Sequence, residues 1–219
     1  MPRVLLVCGS LQRASANRAA LAAAGAALSA SGVEVTTCGD LGAIPPLNPD
    51  RGDDPGEAVL TLRAEIAAAD AVLIAAPEYA GAIAGVVKNA LDWIVGSGDF
   101  YGKPVALLSA GTSGGVFARR DLVRTLSWQG AHVVASLGID AANARSASDA
   151  DGSRRLTDPA TLAAIGALAS SLVASAFESP SARFAVMTAL ARDAAVELGP
   201  LAAHIVSQEE AWVRAHGAG

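Results

Sequence analysis

Several chemistries are starved of the residues they need in this 219-residue chain. Cysteine occurs twice, at Cys8 and Cys38, which gives no disulfide framework and no metal-ligand spacing, so no metal site is expected. Histidine occurs three times, and His132, His204 and His216 all fall outside the segments that carry unusual sequence; a structural role is expected for each. No apolar run approaches the ~20 residues that cross a bilayer. The opening apolar stretch 4–7 stops at Gly9-Ser10, too short for a signal-peptide core and without a cleavage site, and reads as a strand. An excess of positive charge is also missing. With Lys+Arg 16 against Asp+Glu 21 the net charge is −5, which argues against general affinity for nucleic acid. Arg119-Arg120 with Arg124, and Arg154-Arg155, are small basic groups expected on solvated faces or loops. No nucleic-acid or membrane partner is expected, and a cytoplasmic setting is.

What is present is an alternation of strand and helix signals, in a chain whose 52% hydrophobic content is inflated by alanine. Segment 3–8 is a short apolar run ending at Gly9, and 17–31 is an Ala-rich helix stopped by Gly32. Segment 33–37 is β-branched and alternating, a second strand. The loop 39–56, rich in Pro, Gly, Asn and Asp, is long enough to be functional. A helix over 57–69 has Val59, Leu62 and Ile66 on one face, and 71–76 is a uniformly apolar third strand. Ile83, Val86, Val87, Ala90, Leu91, Ile94 and Val95 form one stripe at helical spacing. A strand at 104–109, a helix at 116–129, a strand at 131–137 and a helix at 159–176 with Thr157 or Asp158 as cap follow, with 143–155 a polar loop.

Five alternating units predict an α/β fold: a flavodoxin-like, doubly wound, five-stranded parallel sheet of order 2-1-3-4-5. The expected division is residues 1–176 as this domain and 177–219 as a C-terminal helical extension. The extension reads as two helices packed on the domain or on a partner subunit. Phe184, Met187, Ala191, Ala194 and Leu198 line one face, and Leu201, Ile205, Trp212 and Val213 another. In such sheets ligands sit at the carboxyl ends of the strands where the strand order reverses. Three loops end there.

The first is Gly9-Ser10-Leu11-Gln12-Arg13-Ala14-Ser15-Ala16-Asn17, which leads into a helix. A helix start favours a phosphate through its unpaired N–H groups and dipole. Ser10, Ser15 and Asn17 can add donors and Arg13 a full charge, although Ser15 or Asn17 could equally be an ordinary cap. The loop lacks the spaced glycines of a dinucleotide fingerprint and the Gly-Lys-Ser/Thr of a P-loop. The second is Pro77-Glu78-Tyr79-Ala80-Gly81, a rigid turn that places an aromatic beside the switch point. The third is Ser109-Ala110-Gly111-Thr112-Ser113-Gly114-Gly115, small residues whose backbone N–H groups can approach a ligand closely. A phosphate cradle, an aromatic plane and an amide wall together are what FMN requires.

These residues resemble the NADPH-dependent FMN reductase family, which includes chromate, quinone and azo-dye reductases. The resemblance runs from about Arg3 to Asp140. Its most specific part is Pro77-Glu78-Tyr79 with Gly81, then Gly85-Val86-Val87-Lys88-Asn89-Ala90-Leu91-Asp92-Trp93. It implies that Ser10, Ser15 and Asn17 hold the FMN phosphate, with Gln12 and Arg13 beside them. It also implies that Pro77, Glu78, Tyr79 and Ala80 lie along the flavin ring, and that Ser109, Gly111 and Gly114 cap its polar edge. Homodimers or homotetramers are implied too. The chain departs from the family pattern where Gln12 takes the place of the usual Arg, with Arg13 one residue on. Ala80 replaces an Asn, an expected loss of one hydrogen bond, ~1 kcal/mol or about fivefold in affinity. Ala84 replaces a Pro.

The activity this implies passes hydride from NADPH or NADH through FMN to a small acceptor: a quinone, a flavin, an azo compound or a metal oxyanion. The flavin carries the chemistry, so no catalytic acid or base is expected from the protein. Lys88 and Asp92 are expected to pair at i, i+4, and Trp93 to serve packing or subunit contact. Two alternatives are a flavin-binding electron carrier without its own nicotinamide reaction, and a flavin-free sensor with Gln12 and Ala80 as traces of the loss.

Overall fold

Uniformly apolar strands are stable only where both faces are covered, which is the environment of a parallel sheet wrapped in helices. The computed structural model describes residues 1–52 and 54–216, with side chains through 208 and that of Ala211. In chain order the elements are β1 (Arg3–Cys8), α1 (Ala16–Ala30), β2 (Glu34–Thr37), α2 (Glu57–Ala68), β3 (Ala71–Ala75), β4 (Glu78–Tyr79), β5 (Ala82–Ile83), α3 (Gly85–Ile94), β6 (Pro104–Ala110), α4 (Val116–Trp128), β7 (His132–Ile139), β8 (Ser146–Ser148), β9 (Arg154–Leu156), α5 (Pro159–Ser175), α6 (Pro180–Asp193) and α7 (Pro200–His216). The main sheet runs β2-β1-β3-β6-β7, and every pairing in it is parallel. Counting its five strands alone, the order is the expected 2-1-3-4-5.

The two-residue period of the strands divides the core. Leu5, Val72, Ile74, Val105 and Leu107 face α2, α3 and α4, where Val59, Leu62, Ile66, Val87, Leu91, Ile94, Leu122 and Leu126 meet them. Val4, Leu6, Leu73, Ala106 and Leu108 face α1 and α5, meeting Leu21, Leu28, Ile165, Leu168 and Leu172. The alanines of α1 let it approach closely: a side chain at Gly25 would stand 2.9 Å from Leu6 Cδ1. Truncating a buried leucine such as Leu5 or Leu107 to Ala costs about 2–5 kcal/mol in a core of this kind.

Four sequence expectations need correction. The apolar stripe over 83–95 is not one helix: Ile83 pairs with Glu78 in the β4–β5 hairpin, α3 begins at Gly85, and Val95 is 63% exposed. Hairpin hydrogen bonding has claimed the first residue of the pattern. The polar segment 143–155 contains most of a second hairpin, with Ser146 opposite Leu156 and Ser148 opposite Arg154. Three-residue strands without an apolar face leave no periodic trace in a sequence. The long loop is partly ordered by 3-10 turns at Leu41–Ala43 and Pro49–Arg51. In α7, Leu201 is 40% exposed and Ala202 is buried in its place; Trp212 and Val213 lie outside the described side chains.

The two helices of the tail do pack on the sheet. Met187 and Ala191 of α6 are buried in the same core as α2, α3 and α4, and Ala202 of α7 joins them. His132, fully buried in β7, reaches across with Nε2 3.1 Å from Ala202 O. Of the two cap candidates for α5, Asp158 is the one used, accepting from Thr161 N at 2.8 Å.

Candidate active site

At the carboxyl ends of β1, β3 and β6 the chain has just left the ladder, so backbone groups that face a shorter neighbouring strand need other partners. The last rung between β3 and β6 is Ala76 N to Leu108 O. Two residues further along β6, Ala110 has no strand beside it on that flank. Asn17 takes the strand's place: its Nδ2 donates to Ala110 O and its Oδ1 accepts from Ala110 N, both at 2.9 Å. Ser109 Oγ likewise donates to Ala76 O at 2.7 Å. These ties fix the first loop to the third and the third to the second.

The three loops enclose one cavity of about 380 Å³, a size typical of small-ligand sites. Of the residues singled out in the sequence, Ser10, Gln12, Ser15, Asn17, Pro77, Glu78, Tyr79, Ser109 and Gly111 border it. Arg13, Ala80 and Gly114 do not. Arg13 turns toward the second hairpin and donates from Nη2 to Asp151 O. Ala80 is an exposed hairpin-tip residue with φ 51°, followed by Gly81 with φ 71°. A two-residue turn with both φ values positive is the type I′ turn that prefers Asn-Gly, so an Asn at this position serves the hairpin. Gly114 is buried with φ 67°, and a Cβ there would stand 3.2 Å from the backbone of Gly138. Gly115, next to it, borders the cavity instead.

At one end of the cavity Ser15 caps α1, its Oγ accepting from Asn17 N at 3.1 Å and Arg18 N at 3.4 Å. Those bonds use the oxygen's lone pairs and leave the hydroxyl proton for a ligand. The dipole of a 15-residue helix adds positive potential there. The third loop supplies the opposite character. A Cβ built on Gly111 meets nothing within 4 Å, so the wall is open at that point.

Glu78, which borders the cavity, also closes a helix end. Helix α4 starts at Gly115, which has no side chain to cap it, and Glu78 Oε2 accepts from Phe117 N at 2.7 Å and Ala118 N at 3.1 Å. The carboxylate is thus committed to a helix N-terminus, where negative charge is favoured. Arg119, expected on a solvated face, is half-buried: Nε donates to Gly114 O and Nη1 to Ser136 Oγ. Burial pushes its pKa below the usual guanidinium value, opposed by the Glu78 charge. It braces the third loop against β7.

The motif helix α3 braces the long loop. Asn89 Oδ1 accepts from Leu47 N, Asn89 Nδ2 donates to Pro45 O, and Trp93 Nε1 donates to the same carbonyl at 2.8 Å. Lys88 and Asp92 pair on the surface at 2.5 Å, as their spacing predicts. Sequence reasoning missed two cavity residues entirely, Asn143 and Arg154. Arg154 is the only cation bordering the cavity among the described residues.

A parallel sheet in this order, with a polar cavity at its switch point between a capped helix start and a glycine loop, defines a flavodoxin-like mononucleotide-binding protein. The family model for NADPH-dependent FMN reductase matches residues 2–144, and the chain belongs to that family. It is 39% identical over 165 residues to the NAD(P)H-dependent FMN reductase PA1204 of Pseudomonas aeruginosa, covering 72% of this chain and 86% of that protein. It is 37% identical over 125 residues to the 2-hydroxy-1,4-benzoquinone reductase of a Burkholderia species, covering 55% of this chain and 67% of that one. Among solved structures it resembles FerB, a flavoenzyme NAD(P)H:(acceptor) oxidoreductase from Paracoccus denitrificans. That match has TM-score 0.63 and 27% identity, and covers 79% of this chain and 98% of FerB.

Proposed function

We propose that the cavity holds FMN and that the protein is an NAD(P)H-dependent oxidoreductase that reduces a small acceptor, a quinone, flavin, azo compound or metal oxyanion. The observation that carries this reading is the convergence of three turns, distant in sequence, on one cavity bordered both by a capped helix start and by Gly111, where a side chain would meet nothing. Bound FMN would supply the two-electron relay between nicotinamide and acceptor. The chain's own residues hold and place it. Ser15 offers its hydroxyl proton to the phosphate, while Asn17 fixes the loop that carries Ser10. Pro77 and Tyr79 would border the ring and Gly111 would leave room for it, while the lack of a side chain at Gly115 makes room for Ser109. Nothing in this arrangement requires a protein acid or base.

Residues 1–176 serve as the FMN-binding domain and 177–219 as a C-terminal helical extension, of which α6 packs against β7. A second copy of the chain covers the exposed Tyr79, Val116 and Phe117 beside the cavity mouth, giving a homodimer or a dimer of dimers. The two free thiols accord with a cytoplasmic setting. Calorimetric titration with FMN tests the core of the proposal, with saturable uptake expected. The flavin of the loaded protein should then bleach anaerobically on addition of NADPH or NADH and recover on addition of a quinone. No uptake at generous FMN excess would remove the redox reading.

A further inference from the structure

A phosphate dianion taken into a cavity calls for a full positive charge as well as dipoles. The first loop does not supply one: Gln12 is neutral, and Arg13 is turned away onto Asp151 O. The cation at this cavity comes from elsewhere. Arg154 lies on β9, in a hairpin beyond the 2–144 span that the family model matches. Arg13 docks on the tip of that hairpin, and Gly152 at the tip stands beside the Arg13 guanidinium. The hairpin is therefore tied to the first loop, β9 packs beside α1, and Arg154 borders the same cavity as Ser10 and Ser15.

The guanidinium is held in advance. Its Nη1 donates to Asn143 Oδ1 at 2.9 Å and to Ser146 Oγ at 2.8 Å, and Asn143 also borders the cavity. Its Nε is buried and has no hydrogen-bond partner. A buried, unpartnered N–H on a cation is costly unless something accepts from it. Being buried, Nε is shut off from the cavity, so what the guanidinium offers a phosphate is its charge and its remaining N–H groups.

We propose that Arg154 is the phosphate-binding cation of this protein. The hairpin β8–β9 then supplies a charge that the first loop lacks, and confers preference for the phosphorylated flavin over riboflavin. The inference rests on the flavin reading of the cavity.

The test compares FMN with riboflavin by quenching of flavin fluorescence, in the wild type and in Arg154→Gln and Arg154→Lys. The expected result is a wild type that prefers FMN. Arg154→Gln should weaken FMN by about tenfold to a hundredfold while riboflavin affinity stays within about twofold. Arg154→Lys, which keeps the charge and loses the planar fork held by Asn143 and Ser146, should fall between. Riboflavin binding also reports whether the cavity survives the substitution. Equal weakening of both flavins would make Arg154 a structural tie only, and unchanged FMN affinity would exclude it from the site; either overturns the inference while the flavin reading stands. A wild type that takes up neither flavin would instead overturn the flavin reading.

Discussion

Replacing Asn17 separates a ligand-holding residue from a scaffold residue, because the two roles predict losses in different quantities. Its carboxamide makes reciprocal 2.9 Å bonds with the peptide groups of Ala110, and the residue is 3% exposed. In Asn17→Ala both backbone groups lose their partner. Each orphaned buried group costs about 1–3 kcal/mol, and the cavity beside them admits water that can recover part of it, so about 2–4 kcal/mol is expected. Urea unfolding monitored by far-UV circular dichroism measures this directly, as a lower midpoint with unchanged slope. Asn17→Asp sharpens the argument. An ionised Asp can still accept from Ala110 N, but its other oxygen then faces Ala110 O, so the folded state raises its pKa. A carboxyl with a raised folded-state value contributes most below its unfolded value of about 4, and loses that contribution as pH rises toward the folded value. The gap in stability between this variant and the wild type should thus widen from about pH 4 upward. If Asn17→Ala unfolded at the wild-type midpoint while losing FMN affinity, the scaffold role would be refuted.

Ala80→Asn puts a residue suited to left-handed backbone at φ 51°; it should stabilise the fold by about 0.5–1 kcal/mol in the same unfolding assay and leave FMN affinity unchanged. Glu78→Ala removes the cap of α4 and should cost about 1–3 kcal/mol, with loss of order in the third loop visible as faster amide exchange at Phe117 and Ala118. Burial first, and Arg183 with it, holds the His132 pKa below its usual value against the raising effect of the Ala202 bond. Stability from this neutral histidine is present above its unfolded value and lost as pH falls through about 6.5 toward the folded value, an increment that His132→Gln should lack in thermal melts between pH 5 and 8. Burial and the neighbouring Glu65 push the Cys38 thiol up to about 12. In a Cys8→Ser background it should alkylate about a thousandfold more slowly at pH 8 than an ordinary thiol, and equal rates by mass spectrometry would contradict that environment.

The sheet was legible because apolar runs such as Val4–Val7 and Val72–Ile74 can hardly be anything but strands buried on both faces, and the glycines and turns between them bound the helices. The site was legible at the level of loops, since topology alone sends the residues after β1, β3 and β6 to one edge. Individual roles were less so. Asn17 and Glu78 are polar residues in ligand-facing loops, and a sequence does not distinguish an amide aimed at a ligand from one closing the end of a ladder. Arg13 and Arg154 differ for a related reason: the structure turns Arg13 onto Asp151 O and sets Arg154 at the cavity border. Proximity in sequence favoured Arg13, whereas the deciding fact is a hairpin whose strands carry no periodic signal. An Asn in place of Ala80 is expected from the resemblance to contact the cofactor; the positive φ at this position gives such a residue a conformational use in the hairpin as well.

These roles follow from one physical demand. Where parallel strands of unequal length end, peptide groups are left beside a cavity with no strand to pair with, and leaving them bare costs more than any single ligand contact returns. The loops therefore spend their polar side chains on the scaffold first: Asn17 on β6, Ser109 on the carbonyl just past β3, Glu78 on α4, while Arg119 of α4 braces the third loop. What is left to border the cavity is a hydroxyl at Ser15, an open wall at Gly111 and one cation, Arg154, from outside the three loops. A cavity built this way holds its shape before the cofactor arrives, so binding orders little of the chain and loses little affinity to that ordering.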